Sequence, residues 1–274
     1  MPNNSINTNV ASMVALQNLT TINSRLDTIQ NRVSTGLKVN SAVDDASNFS
    51  IAQGTRGNLK AFEAVSQGLA NARGIATVSL AGATSISDLL GDIQKKITEG
   101  QNAGNTSQQQ DILNSDFNNL VAQINIFINN ATYNGRNVLS AVSTSLNVIA
   151  NVDGSTLTVR SNSSFAQTSV NLGAQQLSST VAASKALSAL FLAQASINQV
   201  LGNIGADTRS LNYQDVFLAK LTDATQEGLG SIVDADMAKE SAKLQALQVQ
   251  QQLSVQTLGI ANQRPQTLLS LFRG

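Results

Sequence analysis

The sequence predicts a mainly α-helical fold in which long helices from the two ends of the chain pair antiparallel and a small β-hairpin lies mid-chain. Of the 274 residues only Pro2 and Pro265 are prolines, so no residue between them locks a backbone dihedral or forbids a helical hydrogen bond. Apolar residues recur every three or four positions near both ends, which is typical of helices that pack along one stripe. A short alternating segment near residue 150 indicates the hairpin.

The N-terminal helix is predicted by a stripe of aliphatic residues that ends at a glycine. Its intervals are three, four, three and four residues, as at the a and d positions of a coiled coil. Gly36 follows the stripe and can adopt the left-handed conformation that ends many helices. The stripe consists of Leu19, Ile22, Leu26, Ile29 and Val33.

The second helix is expected to begin at Asp44 and Asp45, whose carboxylates can cap its first turn and complement its dipole. Its stripe comprises Phe62, Val65, Leu69, Ala72, Ala76, Ser79, Ala83, Ile86, Leu90, Ile93 and Ile97. A polar break at residues 100–110 then precedes a third amphipathic helix. The apolar positions of that helix are Leu113, Phe117, Leu120, Ile124, Phe127 and Ala131.

Between residues 146 and 159 apolar residues alternate with polar ones on both sides of Asp153-Gly154, a pair that favours a tight hairpin turn. A two-residue loop would place the apolar residues on one face of the hairpin. It would pair Val152 with Ser155, Ala150 with Leu157 and Val148 with Val159. Residues 160–180 are rich in Ser, Gln and Asn and are predicted to form a loop.

Two further helices are predicted in the C-terminal part. The first has a seven-residue repeat at Leu190, Ile197, Ile204, Leu211 and Leu218, and is expected to end at Gly228–Gly230. The last is expected to open at Asp234 or Asp236, either of which can cap it, and to run to Gln263. Its main stripe is Met237, Leu244, Leu247, Val255 and Leu258. Val249, Leu253 and Ile260 lie on other sides, which predicts burial by more than one neighbour, most simply by other copies of the chain.

Composition argues against several functions. The chain has 17 basic and 17 acidic residues and no basic run, so nucleic-acid binding lacks its electrostatic driving force. It has no Cys and no His, which removes the commonest metal ligands and catalytic bases, so we predict no enzyme, no cofactor and no metal. No apolar run reaches the length that crosses a bilayer, and Arg25 is the first basic residue, so we expect neither membrane insertion nor a cleaved leader.

Several short segments, taken in order, resemble those of bacterial flagellins, and the resemblance covers about residues 5–140 and 185–273. They are INTN (6–9), RVSTG (32–36), NSAVDDA (40–46), YNG (133–135), DADMAKE (234–240), ANQ (261–263) and LLSLFR (268–273). The segment from Val233 to Leu247 is most similar to short flagellins of alphaproteobacteria. Only a short stretch separates Gly135 from Val181, so the chain resembles a flagellin without large outer domains.

The resemblance implies a structural subunit that polymerises into the extracellular flagellar filament used for swimming. Residues 1–36 with 232–274 would form the inner coiled coil, and residues 37–44 a linker. Residues 45–135 with 181–231 would form the outer tube, and residues 136–180 the hairpin and loop. The stripes of the first and last helices would then mediate self-association.

The resemblance also implies partners and an export route. The segment from Leu244 to Phe272 would be held by an export chaperone before assembly, with Leu268, Leu269, Leu271 and Phe272 as its apolar tail. Filament cap and hook-junction proteins would be further partners, and export would use the flagellum's own channel without a cleaved signal. Two alternatives stay open: a hook-filament junction protein, and a surface module that binds polysaccharide.

Overall fold

The structure of the protein is a computed structural model that describes the backbone of residues 8–271 and the side chains of residues 8–263. The described part contains six helices and one antiparallel pair of strands, which confirms the predicted fold class. The helices are α1 (Val10–Thr35), α2 (Ala46–Gly100), α3 (Ser107–Asn130), α4 (Ser163–Gly173), α5 (Thr180–Val233) and α6 (Met237–Leu271). The strands are β1 (Leu146–Ile149) and β2 (Thr156–Val159).

The chain divides into two compact units. The terminal unit contains the described residues up to Gly57 and those from Ala224 onward, and the central unit contains Asn58–Asp223. In the terminal unit α1 packs along α6. In the central unit one apolar core joins residues of α2, α3, the hairpin, α4 and α5.

The predicted stripes form the core of the central unit. Every stripe residue of α2 from Phe62 to Ile97 is buried, and so are the five heptad residues of α5 from Leu190 to Leu218. The sequence interval of three or four residues places these side chains on one face of each helix, so both helices bury a continuous apolar strip. The predicted buried faces of these two helices are therefore confirmed.

Capping residues fix the helix ends. Gly36 is left-handed, with φ of 71°, and its N–H donates to the Arg32 carbonyl at 2.9 Å, which confirms the predicted end of α1. A capping box that we did not predict opens α3: the Thr106 hydroxyl accepts from the Gln109 N–H, and the Gln109 side chain accepts from the Thr106 N–H. It satisfies two backbone donors that would otherwise lack partners.

The hairpin is present where predicted, but the predicted register is wrong by two residues. Leu146 pairs with Val159 and Val148 with Leu157. The Ala150 N–H donates to the Ser155 carbonyl at 2.7 Å, which leaves a loop of four residues, 151–154, rather than two. Asn151 begins this longer turn: its carbonyl accepts from the Gly154 N–H, and its side chain accepts from the Val152 N–H. A shift of two residues keeps each side chain on the same face, so the apolar residues still point to the core.

The prediction of a loop over residues 160–180 is wrong, because it contains α4. The polar composition of this segment hides one apolar face, on which Phe165, Ala166 and Leu172 are buried in the core. Ser169 lies on the same face and satisfies its hydroxyl locally, by donating to the Ala166 carbonyl at 2.7 Å. Helix α4 packs on α3.

Two predicted helix ends are also wrong. Helix α5 continues through Gly228–Gly230 to Val233, since glycine weakens a helix without ending it. Helix α6 continues past Gln263 to Leu271, because proline removes one helical hydrogen bond while its fixed φ stays compatible with a helix. The side chains of Leu268, Leu269 and Leu271, and the whole of Phe272, lie outside the described residues.

One window in α5 has a mean hydropathy of 1.3 over 18 residues, so this helix is long and apolar enough to cross a membrane by length and composition alone. Core helices of soluble proteins meet the same two conditions. The heptad residues of α5 lie in the core of the central unit, and 28% of this window is buried.

Replacing the buried Ser79 by alanine should stabilise the central unit. The Ser79 hydroxyl is fully buried among the apolar stripe of α2 and has no hydrogen-bond partner in the described structure. Because an unpaired buried hydroxyl costs about 1–3 kcal/mol, Ser79→Ala should raise the free energy of unfolding by about 1 kcal/mol. Urea unfolding followed by tyrosine fluorescence measures this, since both tyrosines, Tyr133 and Tyr213, lie in the central unit.

Ser85→Ala is the matched control, because Ser85 is exposed on the same helix. It reports the difference in helix propensity together with the loss of one bond to the Ala81 carbonyl. If Ser79→Ala destabilised the protein, the hydroxyl would have a partner and this account would be wrong.

Candidate self-association surface

The terminal unit is built on a narrow apolar seam between α1 and α6. On α1 the seam contains the predicted stripe, of which Ile29 is buried and the other four residues are half-buried, and it extends to the buried Ala15. On α6 it contains Leu244, Leu247 and Leu258, all half-buried, and the buried Ala261. A seam of this width covers one side of each helix only.

Polar side chains hold the two helices in an antiparallel register. Near the N-terminus of α1 the Asn9 amide donates to the Ala261 carbonyl at 2.8 Å, and the Ser12 hydroxyl donates to Asn262 at 2.7 Å. Midway along the pair the Gln251 amide donates to Asn23 at 2.8 Å. These bonds join uncharged groups, so the register does not depend on ion pairs at these points.

The outward sides of both helices carry apolar side chains that the terminal unit leaves uncovered. Nine such residues are each between 42% and 66% exposed. They are Val10, Met13, Val14 and Leu16 on α1, and Met237, Val249, Leu253, Val255 and Ile260 on α6. An apolar surface of this extent is typical of a region that another protein covers.

The ten residues predicted for self-association therefore fall into two groups. Eight of them line the seam inside the unit, and Met237 and Val255 lie outside it on the exposed side of α6. The regular stripe in the sequence does not separate the two groups, because both recur at helical intervals.

The acidic residue Glu240 is buried at the linker end of the seam, and its position in the sequence does not predict this burial. It is 7% exposed, and its Oε1 accepts from Lys243 Nζ at 2.6 Å. Its Oε2 and the Nε of Arg32 are buried without a hydrogen-bond partner among the described residues. The signal in the sequence is weak, since an acidic residue in the first turn of α6 is expected there for dipole reasons alone.

A short connection joins α1 to α2 and contacts the start of α6. Leu37 forms an isolated antiparallel bridge with Asp234, and Lys38 N–H donates to the Val233 carbonyl at 2.7 Å. Val39 is buried in a small cluster with Ala52 and Val233. This cluster anchors the connection within the terminal unit.

The four acidic residues predicted to cap helices have different partners. Asp45 accepts from the Asn48 N–H at 3.0 Å at the start of α2, and Asp236 accepts from the Lys239 N–H at 3.1 Å at the start of α6. The Asp44 carboxylate instead binds N–H groups of the turn before α2. Asp234 lies at the bridge to Leu37, ahead of the first turn of α6.

Asp44 closes the turn at residues 40–44 through one oxygen. Its Oδ2 accepts from the N–H of Ser41 at 2.9 Å, the hydroxyl of Ser41 at 3.0 Å and the N–H of Asn40 at 3.2 Å. The two bonds from Ser41 hold the pKa of the Asp44 carboxyl below its ordinary value of 3.8, and the bond from the Ser41 N–H has the larger effect.

The turn should therefore loosen in acid. A carboxyl whose pKa is lowered by folding stabilises the folded turn above its ordinary pKa of 3.8, and this contribution disappears as the pH falls through the lowered value. We expect the Ser41 amide to stay protected from hydrogen exchange near neutral pH and to lose protection below the lowered pKa, as measured by NMR after correction for intrinsic rates. Asp44→Asn should remove this pH dependence. Equal protection in both variants at every pH would contradict the assignment.

A groove of about 410 Å³ runs between α1 and α6. Ile29, Ala246 and Leu247 provide its apolar wall, and Arg25 and Lys243 provide two cationic groups. Thr28 and Gln250 complete the lining, so no acidic residue faces it. In the described residues no group of three or more Asp, Glu, His or Cys could hold a metal ion.

Two family models match the sequence segments that contain these paired terminal helices. The bacterial flagellin N-terminal helical region matches residues 6–144, and the bacterial flagellin C-terminal helical region matches residues 187–272. The chain belongs to the bacterial flagellin family. The two matches include α1, the whole of α6 and the connection at residues 36–45, which are the parts that build the candidate surface.

Full-length relatives show the same membership. Over 271 residues the flagellin is 37% identical to flagellin FljK of Caulobacter vibrioides, which covers 98% of this chain and 99% of the relative. Flagellin FljM of that bacterium is 36% identical over 271 residues, and a flagellin of Brucella melitensis is 36% identical over 282 residues, with the same coverage. The predicted short alphaproteobacterial type is thus confirmed.

The family assignment establishes the general role of the chain. It is a structural subunit of the bacterial flagellar filament, and the prediction of a filament subunit is confirmed. It acts outside the cell with other flagellin subunits.

Proposed function

We propose that this flagellin polymerises by burying the outward apolar sides of α1 and α6 against neighbouring copies. The observation that carries this proposal is the set of nine apolar residues, 42–66% exposed, on the two helices of the terminal unit. Inside the unit each helix has one partner, so its uncovered side is available to a second chain. The eight predicted seam residues hold the pair together, and Met237 and Val255 belong to the intersubunit contact.

In this proposal each segment of the chain has its own place in the filament. Residues 1–36 with 232–274 form an inner coiled coil, and residues 37–44 form the linker. Residues 45–135 with 181–231 form the outer tube, and residues 136–180 form the hairpin region. The pairing of α1 with α6, and the separate core of the central unit, support this division.

The exposed apolar helices require protection before assembly. A chaperone that offers an apolar groove would bind the segment from Leu244 to Phe272 as an amphipathic helix, with Leu268, Leu269, Leu271 and Phe272 among its anchors. Export would follow through the flagellar channel without a cleaved leader, and cap and hook-junction proteins would receive the chain at the growing end. The chain performs no catalysis in this scheme, and its lack of His and Cys supports that.

Polymerisation of the purified chain tests the proposal. A kosmotropic salt strengthens apolar association, so we expect long uniform filaments by negative-stain electron microscopy. Monomers or short rings under every condition, including the presence of native seeds, would contradict the proposal and favour a junction protein. Glycan binding by a chain that does not polymerise would favour a polysaccharide-binding module.

A matched pair of variants tests the surface itself. Leu253→Asp places a charge on the outward apolar side and should raise the concentration needed for polymerisation at least about tenfold. Gln252→Asp adds the same charge at the neighbouring exposed polar position and should have a much smaller effect. Equal effects of the two substitutions would show that the apolar side of α6 is not buried between subunits.

A further inference from the structure

The turn before α2 presents one apolar side chain directly to solvent. Val43 is 95% exposed, the highest value among the exposed large hydrophobic residues of the described chain. Val39, four residues earlier, is 3% exposed, so the connection already contributes a residue to the local core and Val43 is not part of it.

The backbone around Val43 is held in place rather than free. Asp44 Oδ2 accepts three hydrogen bonds from Asn40 and Ser41, and Asp45 caps α2 through Asn48. We name residues 43–45 the knob, because they combine an apolar tip with two carboxylates. All three bonds to Asp44 use Oδ2, and the Asp45 oxygens bind Asn48, so Asp44 Oδ1 is the oxygen left to accept a further donor.

The groove between α1 and α6 has the complementary chemistry. Its apolar wall of Ile29, Ala246 and Leu247 matches a valine side chain, and its charged groups are Arg25 and Lys243. Lys243 already binds Glu240, whereas Arg25 has no ion-pair partner in the described part of the chain. The groove therefore offers one free guanidinium beside an apolar wall.

We propose that the knob of one subunit inserts into the groove of a second subunit, with Val43 against Leu247 and Asp44 beside Arg25. This inference rests on the proposed polymerisation and names one of its contacts. The knob and the groove are different surfaces, so the contact is heterologous, the type of contact that builds an open filament when its rotation does not close into a ring. Charge complementarity fixes the register of such a contact.

The acidic flanks favour the knob over the other fully exposed valine. Val142 is 90% exposed, but its neighbours Ala141 and Ser143 carry no charge. It could fill an apolar groove but could not pair with Arg25. Val142 therefore serves as the control in a crosslinking experiment.

The absence of native cysteine makes crosslinking specific. Chains with Val43→Cys and chains with Ala246→Cys, distinguished by mass, are mixed, polymerised and oxidised. We expect disulfide-linked heterodimers at a yield about tenfold above that from Val142→Cys mixed with Ala246→Cys, because a disulfide forms only between closely placed Cβ atoms. Filaments with no excess of crosslink would overturn the inference and leave the proposed function intact. Failure of the unsubstituted chain to form filaments would instead overturn the proposed function.

A second pair of variants does not depend on cysteine. Arg25→Glu should raise the critical concentration about tenfold, because it places like charges together in the contact. Arg56→Glu reverses a cation elsewhere in the terminal unit, at a position outside the groove lining, and should change that concentration less than about twofold. Equal effects would overturn the inference.

Discussion

A chain that lacks residues 1–34 and 241–274 should form no filaments at any concentration at which the intact chain polymerises. The truncation removes nearly all of α1 and α6, and with them eight of the nine exposed apolar residues of the terminal helices. Burial of one half-exposed apolar side chain contributes about 1 kcal/mol, so the lost contribution is on the order of 8 kcal/mol before ordering entropy is subtracted. Such a loss exceeds what the remaining polar contacts can replace.

The same truncation should leave the central unit folded. The core of that unit consists only of residues between Leu59 and Leu221, none of which the truncation removes. Circular dichroism and the tyrosine fluorescence transition of Tyr133 and Tyr213 measure this directly. The intact chain at equal concentration and salt is the control for assembly. Filaments from the truncated chain would contradict the proposal, whereas loss of the tyrosine transition would show that the two units depend on each other for folding.

The long helices could be predicted because their burial is periodic. Each stripe residue of α2 and α5 contacts one continuous core, so a single interval in the sequence specifies both the helix and its buried face. The same reasoning predicted the stripe of α1, but as a self-association surface rather than as a seam inside the unit. It could not separate the seam from the outward side of α6, since both contain aliphatic residues and only the position of α1 decides which side is covered.

The errors arise where side chains outside the apolar pattern decide the structure. Asn151 lengthens the hairpin turn because its side chain accepts from the Val152 N–H and its carbonyl accepts from the Gly154 N–H. The turn signal at Asp153-Gly154 does not predict these two bonds. Helix α4 has few apolar residues among many polar ones, so the polar composition obscured the helical spacing of the apolar residues. The exposure of Val43, and the lack of an ion-pair partner for Arg25 among the described residues, could be identified only once burial and contacts were known for each residue.

Replacing Asp207 by alanine should lower the free energy of unfolding of the central unit by about 2 kcal/mol, mainly because the Arg160 N–H loses its acceptor. Asp207 lies on α5 and is 7% exposed. Its Oδ2 accepts from the Arg160 N–H at 2.8 Å, and its Oδ1 accepts from Arg160 Nε at 3.0 Å and Nη2 at 2.8 Å. The substitution removes the acceptor of the Arg160 N–H just after β2, while the Arg160 guanidinium keeps its bond to the Asn203 carbonyl at 3.2 Å.

The loss should extend beyond one ion pair because Arg160 belongs to a network. The Asn162 amide donates to the Arg160 carbonyl at 3.0 Å, and the Asn203 amide donates to Asn162 at 3.1 Å. Asn162 is 3% exposed, so its polar atoms depend on these partners. Asp207→Asn keeps an oxygen that can accept from the Arg160 N–H, and should therefore cost less than Asp207→Ala.

The exposed pair Arg73–Asp215 provides the matched control. Its atoms lie 3.1 Å apart, and Arg73 is 46% exposed, much like Arg160 at 47%, but the Asp215 side chain is 35% exposed where that of Asp207 is 8% exposed. Because solvent screens an exposed pair, Asp215→Ala should change the free energy of unfolding by less than about 1 kcal/mol. Urea unfolding followed by tyrosine fluorescence measures all three variants in the same unit. Equal losses for Asp207→Ala and Asp215→Ala would show that burial of Asp207, and the backbone bond it accepts, do not determine how the hairpin is held to α5.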